Sequence, residues 1–92
     1  MAERVLIHMN HYQAIILALE DLGGQGTIKE VNDWIHFHYP NTWKDSGTSL
    51  ADMVPVSLGG NPSSTAGDEY RILERISRGK YRLFSHKSVA DM

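Results

Sequence analysis

The strongest structural signal in this 92-residue chain is Arg71-Ile-Leu-Glu-Arg-Ile-Ser-Arg-Gly-Lys-Tyr-Arg-Leu-Phe84. Apolar side chains alternate with polar ones in two runs, Ile72 to Ile76 and Tyr81 to Phe84. The short link Ser77-Arg-Gly-Lys80 joins the two runs. A glycine in a tight link between alternating runs is typical of a β-hairpin. We therefore predict a hairpin in this part of the chain.

The predicted hairpin is cationic. Between residues 71 and 82 there is one acid, Glu74, and there are five cations: Arg71, Arg75, Arg78, Lys80 and Arg82. Residues 1–70 hold three cations and nine acids, whereas residues 71–92 hold six cations and two acids. The net charge of −2 hides this asymmetry. Such segregation is typical of a protein that presents one face to an anionic partner.

Length and composition bound the class of protein. Ninety-two residues predict a single domain over residues 1–92, with a core at about 10–84 and a flexible tail from residue 85. The absence of cysteine excludes disulfides, thiolate metal sites and a cysteine nucleophile. No apolar run approaches the roughly 20 residues that span a bilayer, and no secretion signal is visible. We expect a cytoplasmic protein, nucleoid-associated if it binds DNA, with no membrane association.

Two amphipathic helices are predicted before the hairpin. The first begins at Asn10, with Gln13 completing a capping box, and ends at Gly23-Gly24. The second begins at Thr27, which forms a capping box with Glu30, and ends before Pro40. Apolar residues recur at helical spacing in both: Tyr12, Ile15, Ile16, Leu19 and Leu22, then Ile28, Val31, Ile35 and Trp34.

A short third helix is predicted between Trp43 and Pro55, because proline disrupts a helix interior. Ser49 and Asp52 form a third potential capping box, with Ser46 or Thr48 as alternative caps. Its apolar face is Leu50, Met53 and Val54, and its expected solvent face is Lys44, Ser46, Thr48, Ser49 and Asp52. That face is polar but poor in cations.

A long loop, residues 57–67, separates this helix from the hairpin. Its small residues would let backbone N–H groups approach a phosphate, and it adds neutral donors at Asn61, Ser63, Ser64 and Thr65. A flexible surface loop without such a role explains the composition equally well. The order of elements predicts an α+β fold, a small winged helix in which three helices precede a β-hairpin wing.

The chain resembles the HARE-HTH type of winged helix over about residues 10–84. The resemblance lies in Thr27-Ile-Lys-Glu-Val-Asn-Asp-Trp-Ile35, the short apolar third helix, and Ser77-Arg-Gly-Lys-Tyr-Arg-Leu83. It implies a DNA-binding module, with preference for modified or distorted DNA, in prokaryotic transcription regulation or restriction and modification. The Gly-Asn-Pro-Ser-Ser insertion and Pro55 depart from the pattern, which leaves the recognition-helix contacts open.

We therefore expect double-stranded DNA as the partner, and a homodimer or a larger protein partner where tight binding is needed. Hairpin cations would contact phosphates, and the third helix and the loop would add polar contacts. The predicted contact residues are Lys44, Ser46, Thr48, Ser49, Asn61, Ser63, Ser64, Tyr70, Arg71, Arg75, Arg78, Lys80 and Arg82.

The main alternative is a protein-interaction module that keeps the same fold. Its partner would meet the acidic residues Glu20, Asp21, Glu30 and Asp33, or the aromatic residues Trp34, Tyr39 and Trp43. An enzyme is not expected, because no motif groups the carboxylates or a nucleophile with a base, so we predict no catalytic residue. We also predict no cofactor and no metal: His36 and His38 point to different helix faces, and His8 and His11 have no obvious third ligand.

Overall fold

The computed structural model describes residues 10–64 and 66–83. Within them three helices pack on a three-stranded antiparallel sheet. In chain order the elements are α1 (His11–Asp21), β1 (Gln25–Thr27), α2 (Ile28–His38), α3 (Gly47–Asp52), β2 (Leu73–Ser77) and β3 (Lys80–Leu83). Single 3-10 turns lie at Val56–Leu58 and Asp68–Tyr70. The α+β class is confirmed, and the arrangement is compatible with a winged helix.

Both predicted capping boxes of the long helices are confirmed. Asn10 Oδ1 accepts a hydrogen bond from the Gln13 amide at 2.8 Å, and the Asn10 amide donates to Gln13 Oε1 at 2.9 Å. Thr27 and Glu30 form the same reciprocal pair, at 3.0 and 2.8 Å. These bonds satisfy amides that the first turn of a helix leaves without partners. The local sequence therefore determines where α1 and α2 begin.

The core lies between the helices and the inner face of the sheet. Fully buried side chains come from every helix, and three sheet residues close the core: Ala14, Ile15, Ala18, Leu19, Val31, Ile35, Leu50, Met53, Val54, Leu73, Tyr81 and Leu83. Tyr81 faces inward, as expected for an apolar member of the alternating run Tyr81 to Phe84, although it lies between two cations in the sequence. Trp34 is only partly buried at the edge of this core.

The predicted hairpin is confirmed, with different boundaries. Its turn is centred on Arg78-Gly79, because Ser77 pairs with Lys80, and Gly79 has a φ of 72°. That conformation favours glycine, which has no Cβ to clash. The register shifts between Arg75 and Ser77, so Ile76 has no partner on β3 and is 41% exposed. The bulge thus interrupts the regular alternation that the sequence suggested.

β1 is absent from the sequence prediction, which treated its residues as a plain link between helices. It pairs with β3, so β3 becomes the central strand in the order β1-β3-β2. Three residues, Gln25-Gly-Thr27, carry no alternating apolar pattern, so local sequence gives no strand signal. A Cβ built on Gly26 would lie 3.1 Å from Leu22 Cδ1. The close packing of this strand on α1 explains the glycine.

The predicted capping box of the third helix is wrong. Helix α3 begins at Gly47, so Ser49 and Asp52 lie inside it, and Ser46 occupies the N-cap position without a side-chain cap. Asp45 Oδ2 accepts from the Gly47 amide instead, at 2.8 Å. The helix ends three residues before Pro55, as the proline predicts. The tail from residue 85 lies outside the described residues.

The Thr27 cap gives a testable stability prediction. Thr27→Ala removes the acceptor for the Glu30 amide, so we expect the free energy of unfolding to fall by about 1 kcal/mol. Urea unfolding followed by circular dichroism measures this change. Thr27→Ser keeps the hydroxyl and is the matched control, with a much smaller loss expected. Equal losses in both variants would contradict the capping role.

Candidate nucleic-acid interface

The hairpin turn and the start of α3 meet at one residue, Ile28. The Ile28 amide donates to the Gly79 carbonyl at 2.9 Å. A Cβ built on Gly79 would lie 3.9 Å from Ile28 Cδ1, and one built on Gly47 would lie 3.7 Å from the same atom. Two segments separated by some 30 residues of sequence are therefore neighbours. The hairpin tip and the first turn of α3 lie at the same end of the molecule.

The hairpin cations surround its tip rather than covering one face. Tyr81 is buried, so its neighbours Lys80 and Arg82 project from the outer face of the sheet. Arg75 of β2 lies opposite Tyr81 of β3, so its side chain is on the same face of the sheet as Tyr81. The core does not extend as far as Arg75, and the side chain is therefore exposed. Arg78 lies in the turn itself. A negatively charged strand would meet cations on either side of the turn.

Arg82 differs from the other hairpin cations because it has a carboxylate partner. Its guanidinium contacts Glu74 Oε1 at 2.8 and 2.9 Å, and the two residues are paired across β2 and β3. Among the described residues, Arg75, Arg78 and Lys80 form no ion pair. Exposed ion pairs contribute little energy, so a phosphate competes with Glu74 at small cost.

Among the predicted DNA-contact residues, Ser46 is the one whose predicted exposure is most clearly wrong. The sequence placed it on the solvent face of α3, but it is only 1% exposed. Its Oγ lies 2.9 Å from His11 Nε2, and Ser49 Oγ lies 3.2 Å from His11 Nδ1. The His11 ring also stacks on Trp43, with centroids 4.9 Å apart and planes 3° apart. Both serines therefore anchor α3 to α1, while Lys44 and Thr48 stay exposed.

A second set of hydrogen bonds fixes the segment before α3. Asn32 of α2 accepts from the Ser46 amide and donates to Asp45 Oδ1, both at 2.8 Å. His36 Nε2 lies 2.9 Å from the Lys44 carbonyl oxygen. The Gly47 amide and the Asn32 amide group lower the pKa of Asp45, since both stabilise its carboxylate. The start of α3 is thus positioned by α1 and α2 together.

Arg71 makes internal hydrogen bonds that the sequence prediction did not anticipate. Its guanidinium donates to the carbonyls of Val54, Asn61 and Ser64 at 3.0, 3.1 and 3.4 Å. A Cβ on Gly60 would collide with the same Val54 carbonyl, so the chain passes closely there. Arg71 is half-buried and holds the loop against the end of α3. This geometry favours a structural role over a phosphate contact.

The side chains of Asn61 and Ser64 form hydrogen bonds within the loop, and Thr65, which the sequence offered as a further donor, lies outside the described residues. Asn61 Oδ1 accepts from the Ser63 amide at 2.9 Å, and Ser64 Oγ accepts from the Ala66 amide at 3.1 Å. Ser63 is exposed. Arg71 ties this loop to the start of β2, whereas the turn lies beyond the other end of that strand. A five-residue strand is about 15 Å long, so the loop and the hairpin tip are two separate patches.

Tyr70 packs against α1. Its hydroxyl accepts from Asn10 Nδ2 at 3.0 Å, and its ring lies 5.2 Å from that of Tyr12. The side chain is half-buried, so it is less available than the sequence suggested. Helical spacing placed Ile28 on the apolar stripe of the second helix, and the structure packs it against the core. No sequence pattern indicated that Ile28 meets the hairpin turn or that His11 binds the serines of α3, because these partners lie far away in sequence.

Comparison with known proteins adds no assignment: no family model, curated protein or solved structure matches this chain. Within residues 10–64 and 66–83, no group of three or more His, Cys, Asp or Glu side chains is placed to hold a metal ion. No helix in that part of the chain is long and apolar enough to cross a membrane. The functional argument therefore depends on the geometry above.

The Arg71 contacts predict a stability effect. Arg71→Lys keeps the charge but cannot reach three carbonyls, so we expect the free energy of unfolding to fall by about 1–2 kcal/mol. Arg75→Lys is the matched control, since Arg75 is exposed and should change stability by less than about 0.5 kcal/mol. Urea unfolding measures both. If Arg71→Lys and Arg75→Lys had the same urea midpoint of unfolding, Arg71 would not hold the loop.

The His11 contacts predict a dependence of stability on pH. Burial lowers the pKa of His11 below its ordinary 6.5, and the Asp45 charge opposes this only in part. The unfolded chain then binds more protons than the folded one, so stability falls as pH drops below 6.5 towards the folded pKa. Thermal unfolding between pH 7.5 and 5 checks this. His11→Gln should flatten the profile, whereas the exposed-site control His38→Gln should not.

Proposed function

We propose that this protein is a DNA-binding module of the winged-helix class, with the β2–β3 hairpin as its wing. The observation that carries the proposal is the junction at Ile28, which places the cationic turn beside the first turn of α3. A double helix lying across this end would meet Arg75, Arg78 and Lys80 on its phosphates. Thr48, which is exposed in the first turn of α3, would supply the contact nearest to a groove, and Lys44, whose carbonyl oxygen meets His36, would add a cation farther along α2.

Phosphate contacts supply the affinity in this proposal. Each cation that contacts a phosphate releases counterions from the DNA, so the binding constant falls as the salt concentration rises. In a plot of log binding constant against log salt concentration, the slope is about −0.9 per contacted phosphate. The three hairpin cations that form no ion pair among the described residues, Arg75, Arg78 and Lys80, predict a slope of magnitude about 3. The buried Ser46 and the internally bonded Arg71 supply no phosphate contact, so the contact set is smaller than the sequence suggested.

Sequence discrimination should be weak. Helix α3 has six residues and is therefore about 9 Å long, which is short for an element that reads several base pairs. It exposes few base-reading side chains, since Ser46 and Ser49 are bound to His11. We therefore propose a duplex-binding module that contributes affinity and orientation, with specificity from a second copy or a partner. The resemblance of the sequence to HARE-HTH domains is the reason to propose a restriction–modification or transcription-regulation context.

The decisive experiment is fluorescence anisotropy with a labelled 20-base-pair duplex over a salt series. Arg78→Glu with Lys80→Glu places two negative charges at the hairpin tip. We expect binding to weaken at least tenfold at low salt and the salt slope to fall by about 2, because two phosphate contacts are lost.

The matched control exchanges the same two residues, Arg78→Lys with Lys80→Arg. Both charges remain, so binding by phosphate contacts should stay within about threefold of the unchanged protein. Circular dichroism shows whether each variant is folded. Duplex binding that survives charge reversal, or no binding by the folded protein at low salt, would overturn the proposal.

A further inference from the structure

A groove between α1 and α2 carries a group of apolar and aromatic side chains, one of which, Phe37, is highly exposed. We call it the aromatic groove; its apolar and aromatic members are Leu17, Leu22, Trp34, Phe37, His38 and Tyr39. It consists of two adjoining hollows of about 490 and 340 Å³, which share Trp34 and His38. Phe37 is 81% exposed, although it lies within a regular helix. Exposed large aromatic side chains beside hollows are typical of protein-binding surfaces.

The groove is preformed rather than a loose collection of side chains. Trp34 Nε1 donates to Asp21 Oδ2 at 2.7 Å, which ties the indole of α2 to α1. The Trp34 and His38 rings are 4.0 Å apart, and the Phe37 and His38 rings meet edge to face at 5.0 Å. Rigid aromatic side chains lose little conformational entropy when a partner binds. The ridge formed by Trp34 and His38 separates the two hollows.

The rim of the groove is acidic. Glu20 and Asp21 line the first hollow, and Glu30 and Asp33 line the second. Asp33 contacts Lys29 at 2.7 Å, but both side chains are mostly exposed, so that pair contributes little. Carboxylates on both hollows create a negative potential, which attracts cationic partners and repels nucleic acid.

We propose that the aromatic groove binds a basic amphipathic segment of a partner protein. The segment lies across the Trp34–His38 ridge with one apolar side chain in each hollow. Its Lys or Arg side chains meet the carboxylates of the rim. Shape supplies two apolar anchor points, and charge selects a cationic rather than an acidic segment.

This surface is separate from the proposed DNA interface. Ile28, at the first turn of α2, contacts the hairpin turn, whereas Phe37 lies nine residues further along the helix. That separation is about 14 Å along the helix axis. The two surfaces also have opposite charge. The exposed Phe37 at the centre of the groove therefore lies away from the hairpin turn, while the acidic rim extends back to Glu30 in the first turn of α2. Neither proposal depends on the other.

The test uses the whole chain and a designed 16-residue helical peptide with leucines at i and i+4 and lysines elsewhere on its surface. Calorimetry measures the affinity, and NMR follows the Trp34 indole N–H signal. We expect micromolar binding that shifts this signal. Phe37→Ser should weaken binding at least tenfold without unfolding the protein, because the side chain is exposed, and Asp33→Asn should weaken it about threefold.

Two matched controls separate this groove from simple charge attraction. A peptide with the same lysines and serine in place of leucine should bind at least tenfold more weakly, and the Arg78→Glu/Lys80→Glu protein should bind the leucine peptide undiminished. Equal affinity for both peptides, unchanged binding by Phe37→Ser, or an unshifted Trp34 signal would overturn the proposal. Self-association that Phe37→Ser abolishes would also overturn it, by assigning the groove to a second copy.

Discussion

The hydrogen bond from the Ile28 amide to the Gly79 carbonyl links the helices to the hairpin. Ile28 is the first residue of α2, where a helix leaves its amides without intrahelical acceptors. The hairpin turn supplies one acceptor, and the capping box of Thr27 and Glu30 satisfies further donors. The hydrogen bond from Ile28 to Gly79 thus satisfies an amide at the start of α2 and holds the hairpin turn against that helix. The Ile28 side chain also lies beside Gly47, where an added Cβ would meet it at 3.7 Å, so the start of α3 is a neighbour of the same residue.

Polar contacts hold α3 in place together with the packing of Leu50 and Met53 in the core. The helix is short, and most of the stability of such a helix comes from tertiary contacts rather than from its own propensity. His11 binds both Ser46 and Ser49, and Asn32 binds both Asp45 and the Ser46 amide. Each of these groups has a partner, so the network positions the helix without leaving a buried polar atom unsatisfied in the described residues. The same contacts bury Ser46 and leave Ser49 only half-exposed.

The charges of this nearly neutral chain are segregated, so the molecule has one cationic surface and one acidic surface. Cations surround the hairpin turn, and acids line the groove between α1 and α2. Opposite potentials around the hairpin turn and along the groove between α1 and α2 would orient the molecule as it approaches an anionic partner. A net charge of −2 describes neither surface.

The sequence by itself determined the features that depend on near neighbours in the chain. Capping pairs three residues apart set the starts of α1 and α2, and the glycine turn between alternating runs set the hairpin. It also determined that Tyr81 faces inward, because side chains alternate along a strand. The α+β class follows from these elements.

Tertiary structure alone decided which polar residues are available to a partner. Ser46 and Arg71 are polar residues of the kind that contact a partner at a surface. In the structure Ser46 is bound to His11, and Arg71 is bound to three distant carbonyls. β1 forms only because β3 offers it a hydrogen-bonding edge, since its own three residues have no strand pattern. These outcomes depend on partners far away in sequence, and local periodicity holds no information about such partners.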